Sequence, residues 1–154
     1  MALNFDVVGV KGDPVESSWT SKDTLLYALG VGAGVNDLPF VTENTGGVPQ
    51  QVLPTFAVIA ASGGGAGRAA GAVCRKLVHG SQAFEIRGGA LPAEGKLNVS
   101  GVVTGIYDKG SGAVITSEGT GVDPETGEVR IITRSESSVR GGGGFGGAAG
   151  PTDN

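Results

Sequence analysis

The sequence predicts a single α+β domain in which an antiparallel sheet follows a largely helical and loop-rich N-terminal half. Three observations favour this class. Hydrophobic residues make up 39% of the 154 residues and charged residues 17%, which supplies enough apolar material for one packed core. One N-terminal segment combines a helix-start signal with helical spacing. Four C-terminal segments have the texture of strands and are separated by short turns.

The N-terminal helix is predicted over residues 21–31. Thr20 is followed three residues later by Asp23, and an acid in the first turn of a helix faces the positive end of the helix dipole. Three leucines follow at helical spacing, Leu25, Leu26 and Leu29. The glycine cluster 30–34 then ends the helix.

The middle of the chain is rich in proline and glycine. Residues 35–54 read as a loop, and 55–60 as a short buried strand or the entry to a helix. Residues 63–71 would make a poor helix, because each interior glycine costs roughly 0.5–1 kcal/mol relative to alanine. A short helix is predicted over 72–78.

Strands are predicted at 82–88, 96–107, 112–122 and 128–139, separated by Gly-, Pro- and Asp-containing turns. Short turns join antiparallel neighbours, since a parallel crossover needs a dozen residues or more. The C-terminal half is therefore predicted to be an antiparallel meander. Residues 141–154 are glycine-rich without a pattern and are interpreted as a flexible linker or tail beyond a domain spanning 1–140.

Composition excludes several classes of function. The net charge of -4 argues against a nucleic-acid surface, which normally carries a basic excess. The single cysteine, Cys74, rules out an intrachain disulfide and makes a Cys-based zinc site implausible, and no metal site is predicted. The chain has no signal-peptide pattern, no apolar run long enough for a membrane span and no SKL ending, so we expect a cytoplasmic protein.

One motif points to a different class of protein. Gly65–Ala70 matches GxGxxA, follows an apolar run, and stands twenty residues before Glu85, which is the spacing of a dinucleotide-binding fingerprint. The context does not fit, because a Rossmann domain alternates strands with crossover helices and everything after Glu85 reads as hairpins. A nucleotide-binding oxidoreductase stays an alternative, and a close-packed glycine loop is the simpler reading.

Several stretches, in order and spacing, resemble the N-terminal half of hydratase 2 and its MaoC-like relatives. They cover nearly all of residues 1–147 and comprise Ser17–Asp23 with Tyr27–Gly32, Pro54–Phe56, Val78–Gln82, Leu91-Pro92 with Gly95–Leu97, Asp108–Gly112, and Arg140–Gly147. No one motif is decisive, and the specificity lies in the order.

The resemblance implies a hot-dog fold, in which an antiparallel sheet wraps a helix, and two such folds in one enzyme chain. The family hydrates trans-2-enoyl-CoA reversibly to (3R)-3-hydroxyacyl-CoA, as a lyase of fatty-acid metabolism and β-oxidation, with CoA part of the substrate and no further cofactor. It also implies a curtailed central helix in this half, so that the glycines and alanines of 57–80 would leave room for the acyl chain. A tight turn packed on the sheet explains them equally well. Some relatives make a peroxisomal location the alternative.

The family's catalytic signature, an Asp, an Asn-Pro and a His within about ten residues, lies in the second hot dog and has no counterpart in this sequence. We therefore expect this chain alone to be inactive, without catalytic residues. A lone hot dog would leave sheet surface uncovered, so pairing is expected, as a homodimer or with a catalytic partner. A non-catalytic interaction module and a hot-dog thioesterase remain rivals.

The resemblance implies that His79, Gly80 and Lys109 contact acyl-CoA. An ammonium facing a phosphate gives Lys109 a sound physical role. The plainer alternatives are a partly buried structural histidine at position 79, the only one in the chain, and ordinary turn exposure for Lys109. His79 could also act as a base, but no carboxylate adjoins it in sequence.

Other residues carry structural predictions. Trp19, Phe56 and Phe84 are expected in the core, as large aromatics usually are. Cys74 is expected to be buried and inert. Two carboxylates beside a turn, Glu125 and Glu128, are expected to be solvated.

Overall fold

A five-stranded antiparallel sheet organises the molecule, for which a computed structural model describes residues 3–43, 45–62 and 69–151. Its strands lie side by side in the order β1-β3-β4-β5-β2, and all four pairings are antiparallel. The strands are β1 (Val15–Trp19), β2 (Leu77–Ile86), β3 (Gly95–Asp108), β4 (Gly112–Val122) and β5 (Val129–Arg140). The predicted class is confirmed, and the arrangement is that of a hot-dog fold.

Three α-helices before β2 lie wholly within the described residues: α1 (Ser21–Gly30), α2 (Leu38–Val41) and α3 (Ala57–Ala60). Helix α1 confirms the prediction within one residue. At its start the backbone N–H and the hydroxyl of Thr20 both donate to the carboxylate of Asp23, at 2.8 and 2.7 Å. These bonds, with Lys22 nearby, hold the pKa of Asp23 below its ordinary value. None of the described helices combines the length and the hydropathy needed to cross a bilayer.

Two strand predictions needed correction. Strand β1 was missed because its sequence, Val-Glu-Ser-Ser-Trp, has no apolar alternation and is fixed by pairing with β3. Strand β2 begins at Leu77, so the predicted short helix over 72–78 is reduced to a 3₁₀ turn at Cys74–Lys76. Of the two alternatives predicted for residues 55–60, the entry to a helix is confirmed, since they form 3₁₀ and α-helix.

The meander prediction holds for β3, β4 and β5 but not for β2. Strand β2 pairs with β5 at one edge of the sheet, and not with its sequence neighbour β3. The link 87–94 therefore passes over the ends of two strands. Eight residues reach roughly 27 Å when extended, and three strand spacings come to about 15 Å, so chain length allows the crossing.

The two faces of the sheet differ in what covers them. The inner face, which packs against α3, holds alternate residues such as Val99, Ile115 and Ile131. The outer face holds the residues between them and carries the ion pair of Glu118 with Arg134, at 3.0 Å. This amphipathic division follows from the two-residue period of a strand.

The buried residues of the inner face form two separate clusters, one at each end of the sheet. We call the end that includes the β4–β5 turn (123–127) the aromatic end. Its cluster contains Trp19 and Phe56, which are 6% and 3% exposed and confirm their prediction as core. The other cluster lies beside the β3–β4 turn and centres on Val103, Ile115 and Val139.

Phe84 and Cys74 are not where the sequence predicted. Phe84 lies on β2 at the sheet edge, where the buried clusters do not reach, and is 37% exposed. Cys74 is exposed in the 3₁₀ turn before β2 rather than buried. Glu125 and Glu128 are exposed beside the β4–β5 turn, as expected.

Candidate functional site

His79 and Gly80 lie near the start of the edge strand β2. His79 pairs with Ser137 of β5 on the inner face and is exposed. The register then shifts, so that Ser81 pairs with Glu136 and Gly80 is the extra residue of a β-bulge. A Cβ on Gly80 would approach the carbonyl oxygen of Glu136 to 3.2 Å. The bulge therefore favours glycine, and it sets the direction in which His79 points.

The surroundings of His79 argue against its use as a general base. Its imidazole has no hydrogen bond or ion pair with any described residue. A catalytic histidine normally needs a partner that orients its ring. The nearest carboxylate on the paired strand, Glu136, accepts a hydrogen bond from Ser81 at 3.2 Å on the opposite face.

Lys109 occupies the tight turn between β3 and β4. Its N–H donates to the carbonyl of Gly112 at 2.9 Å, and Gly110 takes a positive φ of 76°, which closes the turn. The ammonium is exposed and lies 3.5 Å from the carbonyl oxygen of Pro151. By strand spacing Lys109 stands roughly 15–20 Å from His79, so the two residues share one end of the molecule without touching.

Further cations lie at this end of the sheet and were not singled out from the sequence. The strand partners Leu77 and Val139 bring the residues beyond them, Lys76 and Arg140, to the same edge. Arg75 precedes them in the 3₁₀ turn, whose last turn is basic. We call this end the basic end; its cations are Arg75, Lys76, Lys109 and Arg140.

The basic end has a free positive charge. Both ion pairs formed by the described residues involve other cations, Arg87 and Arg134. The one buried carboxylate nearby, Asp108, is bonded to backbone N–H groups instead. Four side-chain cations are therefore available to an anion, and phosphate is an anion that lysine and arginine bind through charge-assisted hydrogen bonds.

Asp108 was also missed by the sequence reasoning. It is 8% exposed and accepts N–H groups from Gly110, Gly144 and Gly146, each at 2.8 Å. The N–H groups of Gly144, Gly110, Gly146 and Phe145 hold the pKa of Asp108 below its ordinary value, against burial, which raises it. The Asp-Lys-Gly turn could have indicated the contact with Gly110. No local pattern indicates the contacts with Gly144 and Gly146, which lie more than thirty residues away in the sequence.

These contacts change the picture of the glycine-rich tail. The described part, 141–151, has no helix or strand, but it is attached rather than loose. Its N–H groups bind Ser111, Val139 and Asp108, and Phe145 packs on Phe5 with ring centroids 4.9 Å apart. The flexible linker or tail over 141–154 stays a prediction, and the sequence did not indicate these contacts, because the glycine composition is the same for a free linker and for a backbone that packs closely.

The middle of the inner face, beside Val103 and Phe84, carries several small or polar side chains. Gly101, Gly119, Ser117 and Ser135 meet there, and the two serine hydroxyls are 2.8 Å apart. Helix α3, which packs on this face, is only four residues long. These short side chains belong to the same face of the sheet as His79.

Two surface grooves lie elsewhere. One, of about 470 Å³, is at the aromatic end and is lined by Trp19, Leu91 and Asp123 among others. The other, of about 410 Å³, is on the outer face around the Glu118–Arg134 pair. Neither contains a residue predicted to bind ligand. In the described ranges no cluster of three metal-binding side chains occurs.

The structure also bears on the dinucleotide motif. Its first four residues, 65–68, lie outside the described residues. The strands that follow it are antiparallel throughout, whereas a Rossmann unit needs a parallel pair joined by a helix. Glu85 is on the edge strand β2 and forms an ion pair with Arg87 at 2.7 Å. The fold therefore does not supply the context that the motif requires.

Comparisons with known proteins agree with one another. The family model of the MFE-2 hydratase 2 N-terminal domain matches residues 17–141. The chain is 46% identical to the 3-hydroxyacyl-thioester dehydratase Y of Mycobacterium tuberculosis, covering 97% of this chain and 52% of that protein. The chain thus spans about half the length of this relative.

Solved structures give the same result. The full-length peroxisomal multifunctional enzyme type 2 of Drosophila melanogaster aligns with a TM-score of 0.65 and 31% identity, over 92% of this chain and 26% of that one. A MaoC-like dehydratase from Phytophthora capsici aligns with a TM-score of 0.72 and 21% identity, over 98% of this chain and 55% of that one. A chain of the ChsH1-ChsH2 complex of Mycobacterium tuberculosis aligns with a TM-score of 0.55 and 17% identity, over 88% of this chain and 100% of that one. At these identities the last two show the fold alone.

Proposed function

The chain belongs to the family of MFE-2 hydratase 2 N-terminal domains, and we propose that it is the acyl-CoA-binding half of a (3R)-specific enoyl-CoA hydratase, or 3-hydroxyacyl-CoA dehydratase. Its metabolic setting would be fatty-acyl or steroid side-chain metabolism. The family is one of hydro-lyases. The observation that carries the proposal is the basic end, where four cations have no carboxylate partner among the described residues.

The proposed role divides the ligand between two surfaces. The phosphates of CoA are the anionic part, and they suit the cations around Lys109 because lysine and arginine form short charge-assisted bonds with phosphate oxygens. The acyl part is apolar and bulky, and it suits the inner face, where Gly101, Gly119 and the serines present no large side chains. His79 and Gly80 stand between these surfaces, on the bulge of β2.

The chemistry itself is assigned to a second hot-dog unit. Reversible hydration needs an acid and a base beside one water, and the one histidine of this chain has no carboxylate partner among the described residues. Strand β2 gives that unit a place to dock, since its outer edge has no described strand partner and eight of its ten residues are exposed. Docking there would put His79 at the junction of the two units. One fold neighbour is itself a two-protein complex.

We propose no further cofactor, since CoA is part of the substrate. A cytoplasmic location remains a prediction, and the peroxisomal relative in Drosophila is compatible with the alternative.

The decisive experiment measures binding. The dissociation constants of decanoyl-CoA and of decanoyl-pantetheine, which lacks the nucleotide and its phosphates, would be compared by calorimetry. We expect the CoA thioester to bind more tightly. We expect Lys109→Ala to weaken binding of the CoA thioester about tenfold, on the order of one charge-assisted contact, without changing the pantetheine thioester.

The matched control is Lys96→Ala, an exposed lysine at the aromatic end of the same strand β3. It removes the same charge from the whole molecule. An equal effect of both variants on affinity would therefore mean that net charge, and not a specific contact of Lys109, attracts the CoA thioester. Equal affinity of the wild type for the two thioesters would refute the proposal and favour an interaction module. Binding of NAD in the same assay would favour the oxidoreductase.

Turnover separates the two halves. Hydration of crotonyl-CoA and decenoyl-CoA, followed by loss of enoyl absorbance, is expected to be absent for this chain and restored by a catalytic hot-dog unit. Activity of the chain alone would contradict the assignment, and His79 would then be the first residue to change.

A further inference from the structure

The basic end has an anchor that the family resemblance did not point to. We propose that Asp108 is a positioning residue. By fixing the segment 141–151 against the β3–β4 turn, it holds Lys109 where the phosphates of CoA bind. This inference rests on the proposed function for its ligand, whereas the anchoring itself is independent of it.

The carboxylate of Asp108 joins two parts of the chain that are distant in sequence. One oxygen, Oδ1, accepts N–H groups from Gly110 in the turn and from Gly144 in the segment. The other, Oδ2, accepts the N–H of Gly146. The backbone N–H of Asp108 also donates to the carbonyl of Ala148 at 2.9 Å. A single residue therefore makes three contacts with the segment and one with its own turn.

The segment fits this position because of its glycines. A Cβ on Gly143 would overlap the carbonyl of Gly112 and come within 2.5 Å of the carbonyl oxygen of Gly110. A Cβ on Gly150 would come within 2.5 Å of the Tyr107 ring. Gly144 and Gly146 have φ values of 80° and 76°, which disfavour other residues. The backbone of the segment thus lies directly on the turn.

The arrangement reaches Lys109 from two directions. Asp108 closes the turn beneath Lys109 through Gly110, and the segment brings the carbonyl oxygen of Pro151 to 3.5 Å from the lysine ammonium. Because backbone N–H groups already satisfy the carboxylate, Asp108 does not form an ion pair with Lys109. The cation is held in place while its charge stays available to a phosphate.

A carboxylate is the group that this position needs. Asparagine has the same shape, but one of its oxygens is replaced by an NH₂ donor, which would face the N–H of a glycine. Asp108→Asn should therefore release at least one glycine contact without removing packing volume. The first readout is amide exchange at Gly144 and Gly146, which we expect to accelerate in the variant.

The second readout is binding. Asp108→Asn is expected to weaken the binding of decanoyl-CoA roughly tenfold, about as much as Lys109→Ala does, and to leave the binding of decanoyl-pantetheine unchanged. In the double variant the two effects should fall short of adding, because both act on one contact. A merely structural role for Asp108 would weaken both thioesters alike or add fully to the lysine change.

The aromatic end provides the matched control. Asp123 accepts the N–H groups of Glu125 and Thr126, at 2.8 and 3.1 Å, in the β4–β5 turn, and its carboxylate accepts none from a distant part of the described chain. Asp123→Asn should leave thioester affinity and the exchange at Gly144 unchanged. If Asp108→Asn does not fold, Gly146→Ala loosens the segment with the carboxylate intact, because its added Cβ meets open space but has a strained φ.

The outcomes separate the two proposals. Faster glycine exchange with unchanged affinity for decanoyl-CoA would overturn the positioning role, and unchanged exchange would overturn the anchor. If the wild type does not distinguish the two thioesters, the proposed function fails, while the exchange data still decide whether Asp108 anchors the segment.

Discussion

The two ends of the sheet are closed by different means. At the aromatic end, large side chains fill the space: Phe56 contacts Trp19 and Tyr27 edge-on, with ring centroids 6.0 and 5.5 Å apart. At the basic end, beside the buried cluster of Val103, Ile115 and Val139, backbone packs on backbone, and a glycine-rich segment is bound to one carboxylate, Asp108. Side-chain packing gains stability from buried apolar area, whereas backbone packing brings chains close and leaves neighbouring cations exposed.

The charges of the two ends follow the same division. Around the β4–β5 turn, carboxylates outnumber cations, and Lys96 and Arg130 lie near enough to Asp123 to help lower its pKa, after the N–H groups of Glu125 and Thr126. At the basic end the cations predominate and the carboxylate is occupied by N–H groups. We infer that both ends stabilise the fold through their buried clusters, and that the second end also presents charge to a ligand.

The largest expected effect tests the stability of the aromatic end. Phe56→Ala removes a ring that is 3% exposed and should lower the free energy of unfolding by about 3–5 kcal/mol, measured by denaturant titration. Phe84→Ala is the matched control, since its ring is 37% exposed on β2 and should cost much less. Similar losses for the two variants would mean that the aromatic end is not the main source of stability.

A smaller effect is expected from crowding the basic end. Gly143→Ala places a Cβ against the carbonyls of Gly110 and Gly112, so the segment must move away, at a cost of about 1–3 kcal/mol. The aromatic cluster lies at the opposite end and should stay intact, as shown by unchanged tryptophan fluorescence from Trp19. Gly34→Ala, where an added Cβ meets no atom within 4 Å, is the control. Loss of the Trp19 signal in Gly143→Ala alone would show that the ends are coupled.

The difference between the ends also explains what the sequence could predict. Local chemistry indicated α1 through Thr20 and Asp23, and the hairpin turns through their Asp and Gly residues. Burial of Trp19 and Phe56 followed from hydrophobicity. Strand β1 and the edge position of β2 depend on pairing between distant segments, which leaves no local pattern.

The same reason applies to the candidate site. His79, Gly80 and Lys109 came from resemblance, and their assignment to a ligand remains a prediction. Asp108 and the cations Lys76 and Arg140 come to the same end of the sheet only when the strands β2, β3 and β5 pair in the fold. A glycine-rich composition does not distinguish a free linker from one that packs on a turn, because both require the absence of side chains.

The smallest effect concerns pH. The pKa of Asp108 is lowered in the folded state by its N–H donors, so its contribution to stability is complete above the ordinary carboxyl pKa of about 4. That contribution is lost as pH falls through the lower, folded value. Asp23 and Asp123 also have lowered pKa values and contribute in the same window. The total pH dependence of wild-type stability therefore cannot be assigned to one group.

The difference between wild type and Asp108→Asn isolates the basic end. Measured by denaturant titration, the stability gap between them should be constant from pH 7 to about 5 and should narrow below the ordinary carboxyl pKa of about 4. For Asp123→Asn, measured alongside, the stability gap to wild type should also narrow at low pH, without any change in amide exchange at Gly144. A gap for Asp108→Asn that persists at low pH would mean that packing, rather than the negative charge, attaches the segment, and the contrast between the two ends would then lie in shape alone.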